Sequence, residues 1–138
     1  MIVDTSALIA ITFAEDRWED ISKALSRGRW FVPAPVLTEY FLVSGGSRQS
    51  TDTDRAGAIV SALLTKGLQV IAFDGRHARR TQVARDAYGK GNGRGGTLNF
   101  GDLMVYAVAK ELGQPLLFTG RDFPTTDVLI HPASRVDP

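Results

Sequence analysis

The sequence predicts an α/β domain in which a central, mostly parallel β-sheet is covered by helices on both faces, a three-layer α/β/α sandwich. Short apolar runs of strand length alternate with longer segments of helical periodicity along the chain. Consecutive parallel strands need a crossover connection, usually a helix, so this alternation is typical of a parallel sheet. At 138 residues and without an internal repeat, the chain fits one domain spanning residues 1–138.

In the first half of the chain, strand-like runs precede segments in which apolar residues recur at helical spacing. The run MIV at residues 1–3 predicts the first strand, and the next segment predicts a helix over 7–14 with Thr5 or Ser6 as its N-cap. The other elements predicted here are a helix over 18–25 stopped by Gly28, a strand over 30–33, a helix opened by Pro35 and ended by Gly45 and Gly46, and a helix capped within Ser50 to Asp54 and ended by Gly67.

The second half contains the clearest helix boundaries. After a strand over 68–73, Asp74 is placed to cap a basic helix that runs to about Tyr88. The helix Phe100–Leu112 has Asn99 at its N-cap, Asp102 three residues further on and Gly113 after its end. Its middle is apolar all round, which predicts a buried helix. Strands are then predicted over 115–119 and, more briefly, over 127–130.

Composition excludes several kinds of site. The chain has no cysteine and two histidines, so disulfides, thiolate zinc sites and cysteine nucleophiles are excluded and a histidine-rich metal site is disfavoured. Neither His77 nor His131 accompanies a nucleophile motif, which argues against Ser/His/Asp hydrolysis. Asp4 interrupts the apolar N-terminus, and no run reaches the ~18 apolar residues of a membrane span. We therefore expect a cytoplasmic protein without a membrane segment.

Four carboxylates occupy positions where an α/β sheet places its site. Asp4 directly follows the first strand, Glu39 lies in the helix after the second, Asp102 in the first turn of the buried helix, and Asp122 just past the strand PLLFT. Sites of open parallel sheets form at the carboxyl ends of the strands. Gathered carboxylates repel one another and need a cation, and oxygen ligands alone favour Mg²⁺ or Mn²⁺ over zinc.

Each acid also has a purely structural explanation. Asp102 could reach back to Asn99 in a capping box, while Asp4 and Asp122 could each serve as an N-cap. Glu39 is harder to explain in this way, because carboxylates are rarely buried on an otherwise apolar helix unless they are paired. Taken together with the topology, the four acids favour a metal site.

Four segments of the chain form a recognisable set: MIVDTSALIAI, APVLTEYFLV, LNFGDLMVYAVAKELGQPLLFTGRDF and a trailing TD. Together they resemble the PIN-domain nucleases, and in particular the VapC-type toxins of bacterial toxin–antitoxin pairs. By this resemblance, Asp4, Glu39 and Asp102 match three acids of the family. The fourth acid would be Asp122, with Asp127 as the fallback, because Gly120 and Arg121 stand where many members have an acid. Ser6 and Thr119 match hydroxyls that support the acids.

The resemblance implies a PIN-like fold and a Mg²⁺- or Mn²⁺-dependent endoribonuclease. The ion, held mainly by Asp4 and Asp102 with support from Glu39 and Asp122, would activate a water to attack an RNA phosphodiester. The resemblance also implies a homodimer that is neutralised by a small VapB-like antitoxin. The target RNA, and whether one ion or two are used, cannot be read from the sequence.

A basic segment adds a second candidate feature, although the net charge is only +1. Its arginines could bind RNA phosphates or could simply keep an exposed helix face solvated. The candidates for RNA binding are Arg76, Arg79, Arg80 and Arg85. The glycine-dense run GKGNGRGG that follows lacks the phosphate-loop pattern. We interpret it as a flexible loop, and favour a plain linker over an RNA-binding rim.

Two rival functions follow from the same residues. A phospho-acceptor receiver domain is also a doubly wound sheet with Mg²⁺-binding aspartates, and Phe73–Asp74 offers a candidate acceptor. Asp4, however, has no acidic neighbour, and the last strand lacks the lysine such a domain needs. The other rival is a PIN-like module that binds RNA or protein without cutting.

Overall fold

A computed structural model of the chain describes residues 1–46 and 50–134, without the side chains of residues 50–53. Its strands form one parallel sheet in the order β3-β2-β1-β4, with Ile2 aligned to Phe31 on one side and to Leu116 on the other. The strands are β1 (Ile2–Val3), β2 (Phe31–Pro33), β3 (Gln69–Ile71) and β4 (Leu116–Leu117). The α/β fold with a parallel sheet is therefore confirmed, with strands shorter than predicted.

Two helices follow each of the first three strands. They are α1 (Thr5–Phe13), α2 (Trp18–Ser26), α3 (Ala34–Gly46), α4 (Ser50–Thr65), α5 (Gly75–Tyr88) and α6 (Phe100–Leu112). β2 and then β3 are added on one side of β1, whereas β4 is added on its other side. Right-handed connections therefore put α1 to α4 on one face and α5 with α6 on the other. In the described part of the chain, no helix is both long and apolar enough to cross a bilayer.

The core lies between the sheet and its helices. Both residues of β1 and both of β4 are completely buried, as the middle of a two-sided sheet requires. Residues Val105 to Ala109 of α6 are also buried, which confirms the prediction made from the apolar middle of this helix. The reversal of strand order between β1 and β4 opens a crevice at the carboxyl ends of these two strands, where ligands of such sheets bind.

Local capping signals were the most accurate predictions. Asp74 caps α5, accepting hydrogen bonds from the backbone N–H groups of Arg76 and His77. Asn99 and Asp102 form the predicted capping box of α6, and Gly113 ends that helix in a left-handed conformation (φ 61°). The helix α1 differs, because Asp4 rather than Thr5 or Ser6 is its N-cap. The cap predicted for α4 falls on residues whose side chains lie outside the described ones.

The predicted fifth strand over 127–130 is wrong. Its only pairing in the described residues is a single parallel bridge between Leu116 and Ile130. The N–H of Leu116 donates to the carbonyl of Leu129 at 2.8 Å, and the N–H of His131 donates to the carbonyl of Leu116 at 3.0 Å. A 3₁₀ helix begins soon afterwards, at Pro132–Ser134. The segment is therefore too short to pair with β4 as a strand.

Candidate active site

Asp4 stands at the carboxyl end of β1 with its side chain almost fully buried (7% exposed). Its N–H donates to the carbonyl of Leu117 in β4 at 2.9 Å. Its carboxylate accepts from the N–H of Ser6 at 3.0 Å and from the Ser6 hydroxyl at 2.5 Å. Burial raises the pKa of Asp4, the bonds from Ser6 counteract part of that rise, and the charge of Glu39 adds to it. Asp4 is therefore both a helix cap and a buried acid beside another acid.

Ser6 and Thr119 connect the ends of β1 and β4 beneath Asp4. The Ser6 hydroxyl donates to Asp4 and accepts from the N–H of Thr119 at 3.1 Å. The Thr119 hydroxyl donates to the carbonyl of Ser6 at 3.5 Å. The structure thus brings both hydroxyls singled out in the sequence to the crevice, where Ser6 fixes the orientation of the Asp4 carboxylate.

Glu39 reaches the crevice from α3. It is half-buried, and its pKa is raised first by burial and then by the charge of Asp102. The backbone of α6 comes so close that a Cβ atom at Gly101 would overlap the Glu39 carboxylate oxygen Oε2. The glycine of the FGD motif therefore leaves the space that the Glu39 carboxylate fills.

Asp102 lies in the first turn of α6 and has two roles. Its Oδ2 accepts from the N–H of Asn99 at 2.9 Å, which is the capping role that the sequence also allowed. Its pKa is raised to about 6, mainly by burial, with further contributions from the negative charges of Asp4 and Asp122. The Asn99 bond and the positive charge of Lys90 act in the opposite direction. The capping role and the place in the acid cluster are compatible.

The structure separates the two candidates for the fourth acid. Asp122 is exposed, follows β4, and its charge acts on Asp102. Asp127 instead accepts from the Tyr106 hydroxyl at 2.5 Å and from the Lys110 ammonium at 3.0 Å, and these bonds lower its pKa. It lines a groove along α5 and α6. Of the two candidates, Asp122 is therefore the one whose charge acts on another acid of the predicted site.

The donor set fits a hard divalent cation, although the side chains are not gathered for ligation. Among the described residues, no three acidic or histidine side chains converge tightly enough to hold one ion. The donors available are carboxylate and hydroxyl oxygens, which Mg²⁺ and Mn²⁺ prefer. Thr5 Oγ1 is buried without a hydrogen-bond partner of normal geometry in the described residues, although it lies close enough to Glu39 to favour its charged form. Neighbouring carboxylates whose negative charges raise one another's pKa are stabilised by a bound cation. Together with the Thr5 oxygen, these carboxylates therefore fit a cation-binding site.

The basic segment forms the exposed face of α5, and most of its arginines are paired within the chain. Arg76 pairs with Asp74 at 3.0 Å, Arg80 with Glu111 at 2.9 Å and Arg85 with Asp86 at 3.2 Å. Arg76, Arg79 and Arg80 line the same groove as Asp127, and none of the four candidate site acids is among its lining residues. Arg85 instead lines a small cleft with Phe100, at the start of α6.

Three neighbours of the acids were missed in the sequence. Gly101 was missed because its function depends on the position of Glu39, far away in the chain. Thr97 donates to the backbone carbonyl of Asp122 at 2.5 Å, and Lys90 acts electrostatically on Asp102. Lys90 belongs to the glycine-dense run that was interpreted as a linker, and Thr97 directly follows that run. The two basic residues within the run, Lys90 and Arg94, were the available signal.

An apolar groove lies next to the acids. It has a volume of about 870 Å³ and borders Glu39 and Gly101. Two of its side chains are strongly exposed, Leu42 (69%) and Phe100 (80%). The other apolar side chains in its wall include Pro35, Phe73 and Met104. Exposed apolar side chains gathered at one groove are typical of a surface that a partner covers.

Comparison with known proteins gives a consistent result. A PIN domain profile matches residues 1–129. Ribonuclease VapC42 of Mycobacterium tuberculosis is 38% identical over 130 residues, which cover 93% of this chain and 96% of the relative. The solved structure of M. tuberculosis VapC20, described as a sarcin–ricin loop cleaving toxin, aligns with a TM-score of 0.73 at 15% identity over 93% of this chain and 95% of that one. VapBC-1 from nontypeable Haemophilus influenzae aligns with a TM-score of 0.69 at 15% identity, covering 97% and 98%.

Proposed function

Because the chain belongs to the PIN-domain family, and within it to the VapC ribonucleases, we propose that it is an endoribonuclease of a toxin–antitoxin pair. Its substrate is RNA, and its cofactor is Mg²⁺ or Mn²⁺. The observation that carries this proposal is the electrostatic coupling of acids from four separate parts of the chain. Asp4, Glu39, Asp102 and Asp122 approach closely enough at one sheet edge for their charges to act on one another.

The protein residues have distinct parts in this chemistry. Asp4 and Asp102 would hold the ion, with Glu39 and Asp122 in support. When bound, a divalent ion would supply positive charge for the phosphate and would make a bound water more acidic. Ser6 keeps the Asp4 carboxylate oriented. Glu39, which is half-buried and outside the pair of acids that would hold the ion, would accept the proton of the attacking water.

The apolar groove beside Glu39 supports the antitoxin partner. We propose that a VapB-like antitoxin covers Leu42 and Phe100 there and so blocks access to the acids. Leu42→Ser should then weaken inhibition by the antitoxin and leave RNA cleavage unchanged, because the exposed Leu42 side chain has no group that could bind an ion or transfer a proton. Cleavage measured against increasing antitoxin, beside the parent protein, tests this. A homodimer is part of the same proposal, and sedimentation of the purified chain tests it.

The decisive experiment compares acid variants with a matched surface variant. Asp4→Asn, Glu39→Gln and Asp102→Asn should abolish Mn²⁺-dependent RNA cleavage while keeping the melting temperature close to that of the parent. Each amide preserves shape but removes a negative charge on which metal affinity depends. Asp122→Asn should cost less, since that side chain is exposed. Asp20→Asn, an exposed aspartate on α2, is the control and should remain fully active.

The same assay separates the rival functions. A PIN-like module without catalysis would bind RNA but leave it intact with either ion. A receiver domain would be labelled at Asp74 by acetyl phosphate, but Asp74 caps α5 and pairs with Arg76. Full activity in a well-folded Asp4→Asn protein would refute the nuclease proposal.

A further inference from the structure

The glycine-dense segment is an organised loop rather than a linker. In this loop (residues 89–98), the N–H of Lys90 donates to the carbonyl of Leu98 at 2.8 Å, and the N–H of Leu98 donates to the carbonyl of Tyr88 at 2.9 Å. The Asn92 side chain accepts from the N–H groups of Arg94 and Gly96, and its amide donates to the carbonyl of Asp86. The two ends of the loop are thus hydrogen-bonded to each other, and Asn92 fills its centre.

Glycine is required in this loop for two separate reasons. Gly91, Gly93 and Gly95 have positive φ angles of 82°, 75° and 78°, which other residues adopt only with strain. At Gly96 a Cβ atom would overlap the carbonyl oxygens of Gly89 and Tyr88. The sequence GKGNGRGG therefore favours one compact, internally hydrogen-bonded conformation rather than a plain linker.

The C-terminal end of the loop is attached to the acid site at two neighbouring residues. The carbonyl of Leu98 accepts a hydrogen bond from the N–H of Lys90, and Leu98 directly precedes Asn99. The N–H of Asn99 in turn donates to the Asp102 carboxylate at 2.9 Å. The hydroxyl of Thr97, the residue before Leu98, donates to the backbone carbonyl of Asp122. The loop therefore holds a fixed position between two of the four acids.

The loop contains two basic residues, Lys90 and Arg94, and Lys90 is the one whose charge acts on an acid of the site. Its side chain is exposed, and its positive charge acts on Asp102. Among the described residues it makes no ion pair, whereas Arg76, Arg80 and Arg85 are each paired with a carboxylate. An ammonium group held near the acids without a direct partner is available to an incoming anion.

We propose that Lys90 binds a phosphate of the RNA substrate beside the acids and so sets the backbone against the reacting centre. This inference rests on the proposed ribonuclease function. A cluster of carboxylates repels a polyanion, so a cation at its rim is needed to bring a phosphate close. Lysine suits this role because its ammonium is a compact charge that meets phosphate oxygens without a fixed orientation. The loop restricts where the lysine backbone can lie, and with it where the phosphate is held.

The test compares Lys90→Gln and Lys90→Arg with Lys66→Gln. Lys66 is an exposed lysine just before β3, at the opposite edge of the sheet, and is the matched control. Lys90→Gln should raise KM for RNA about tenfold, since a hydrogen bond to a charged group is lost, while the melting temperature stays unchanged. The slope of log affinity against log salt should become shallower by about 0.7, as expected for one lost contact to single-stranded RNA. Lys90→Arg should restore most of the affinity.

A second readout separates this inference from the proposed function. Binding of a labelled single-stranded RNA in EDTA measures the phosphate contact without any cleavage. A parent protein that never cleaves RNA would refute the ribonuclease proposal, while the binding measurement would still report on Lys90. A folded Lys90→Gln protein with the parent KM, binding constant and salt slope would overturn the role of Lys90, as would an equal loss in Lys66→Gln.

Discussion

Gly101 is the position at which one added methyl group tests the geometry of the acid site. A Cβ atom there would overlap Oε2 of Glu39 and would also come within 3.1 Å of the Glu39 carboxyl carbon. The atoms in the way are the far end of a flexible side chain, so Glu39 can rotate aside. Gly101→Ala should therefore displace the carboxylate rather than disturb the fold.

The two effects on stability are small and opposite. Replacing a helical glycine by alanine favours folding by about 0.5–1 kcal/mol, and forcing Glu39 away from its preferred rotamer costs about 0.5–1.5 kcal/mol. The free energy of unfolding should stay within about 1 kcal/mol of the parent value. Activity should fall by about 100-fold, because misplacing a catalytic group by about 1 Å has an effect of that size.

The matched control is Gly57→Ala in α4, where a Cβ atom meets nothing within 4 Å. This variant should be about 0.5–1 kcal/mol more stable than the parent and equally active. Urea unfolding and initial rates of RNA cleavage with Mn²⁺, measured on the same preparations, provide both quantities. A Gly101→Ala protein with parental activity would show that the position of Glu39 does not matter to the reaction.

Three further predictions concern charge. Without metal, Asp4→Asn should melt at the same temperature as the parent or higher, because a buried acid that is repelled by its neighbours loses its charge. Mn²⁺ should raise the melting temperature of the parent more than that of Asp4→Asn, because the ion binds the folded parent more tightly. An equal rise in both proteins would mean that the ion binds elsewhere. The pKa of Asp74 is lowered to about 2 by its bonds with Arg76, so this acid should stabilise the fold fully above its ordinary pKa of 3.8 and lose that effect as the pH falls through about 2. Melting curves of Asp74→Ala should accordingly differ from the parent at neutral pH and converge with it near pH 2. Neutralising Arg79 and Arg85 together should weaken RNA binding and flatten its salt dependence without changing the cleavage pattern, and an unchanged slope would mean that they only solvate α5.

The sequence determined the features that depend on neighbours within a few positions. The caps at Asp74 and Asn99, the stop at Gly113 and the buried middle of α6 were all predicted, because a cap involves residues at most three or four apart and a helix face repeats every 3.6 residues. The order of strands and helices was predicted for the same reason. The strand over 127–130 was not, because a strand needs a partner along its length and the chain turns after one bridge.

The tertiary structure decided how these local features combine. It brought the charge of Asp122 to act on Asp102 and gave Asp127 to Tyr106 and Lys110, although the two aspartates are only five residues apart. It also paired Arg80 with Glu111, 31 positions further along the chain, and left Lys90 unpaired within the described residues. Such contacts join segments tens of residues apart, and their distances are set by how helices pack on the sheet. A sequence pattern records which charges are present, whereas the energy of a charge depends on what lies within a few ångströms of it.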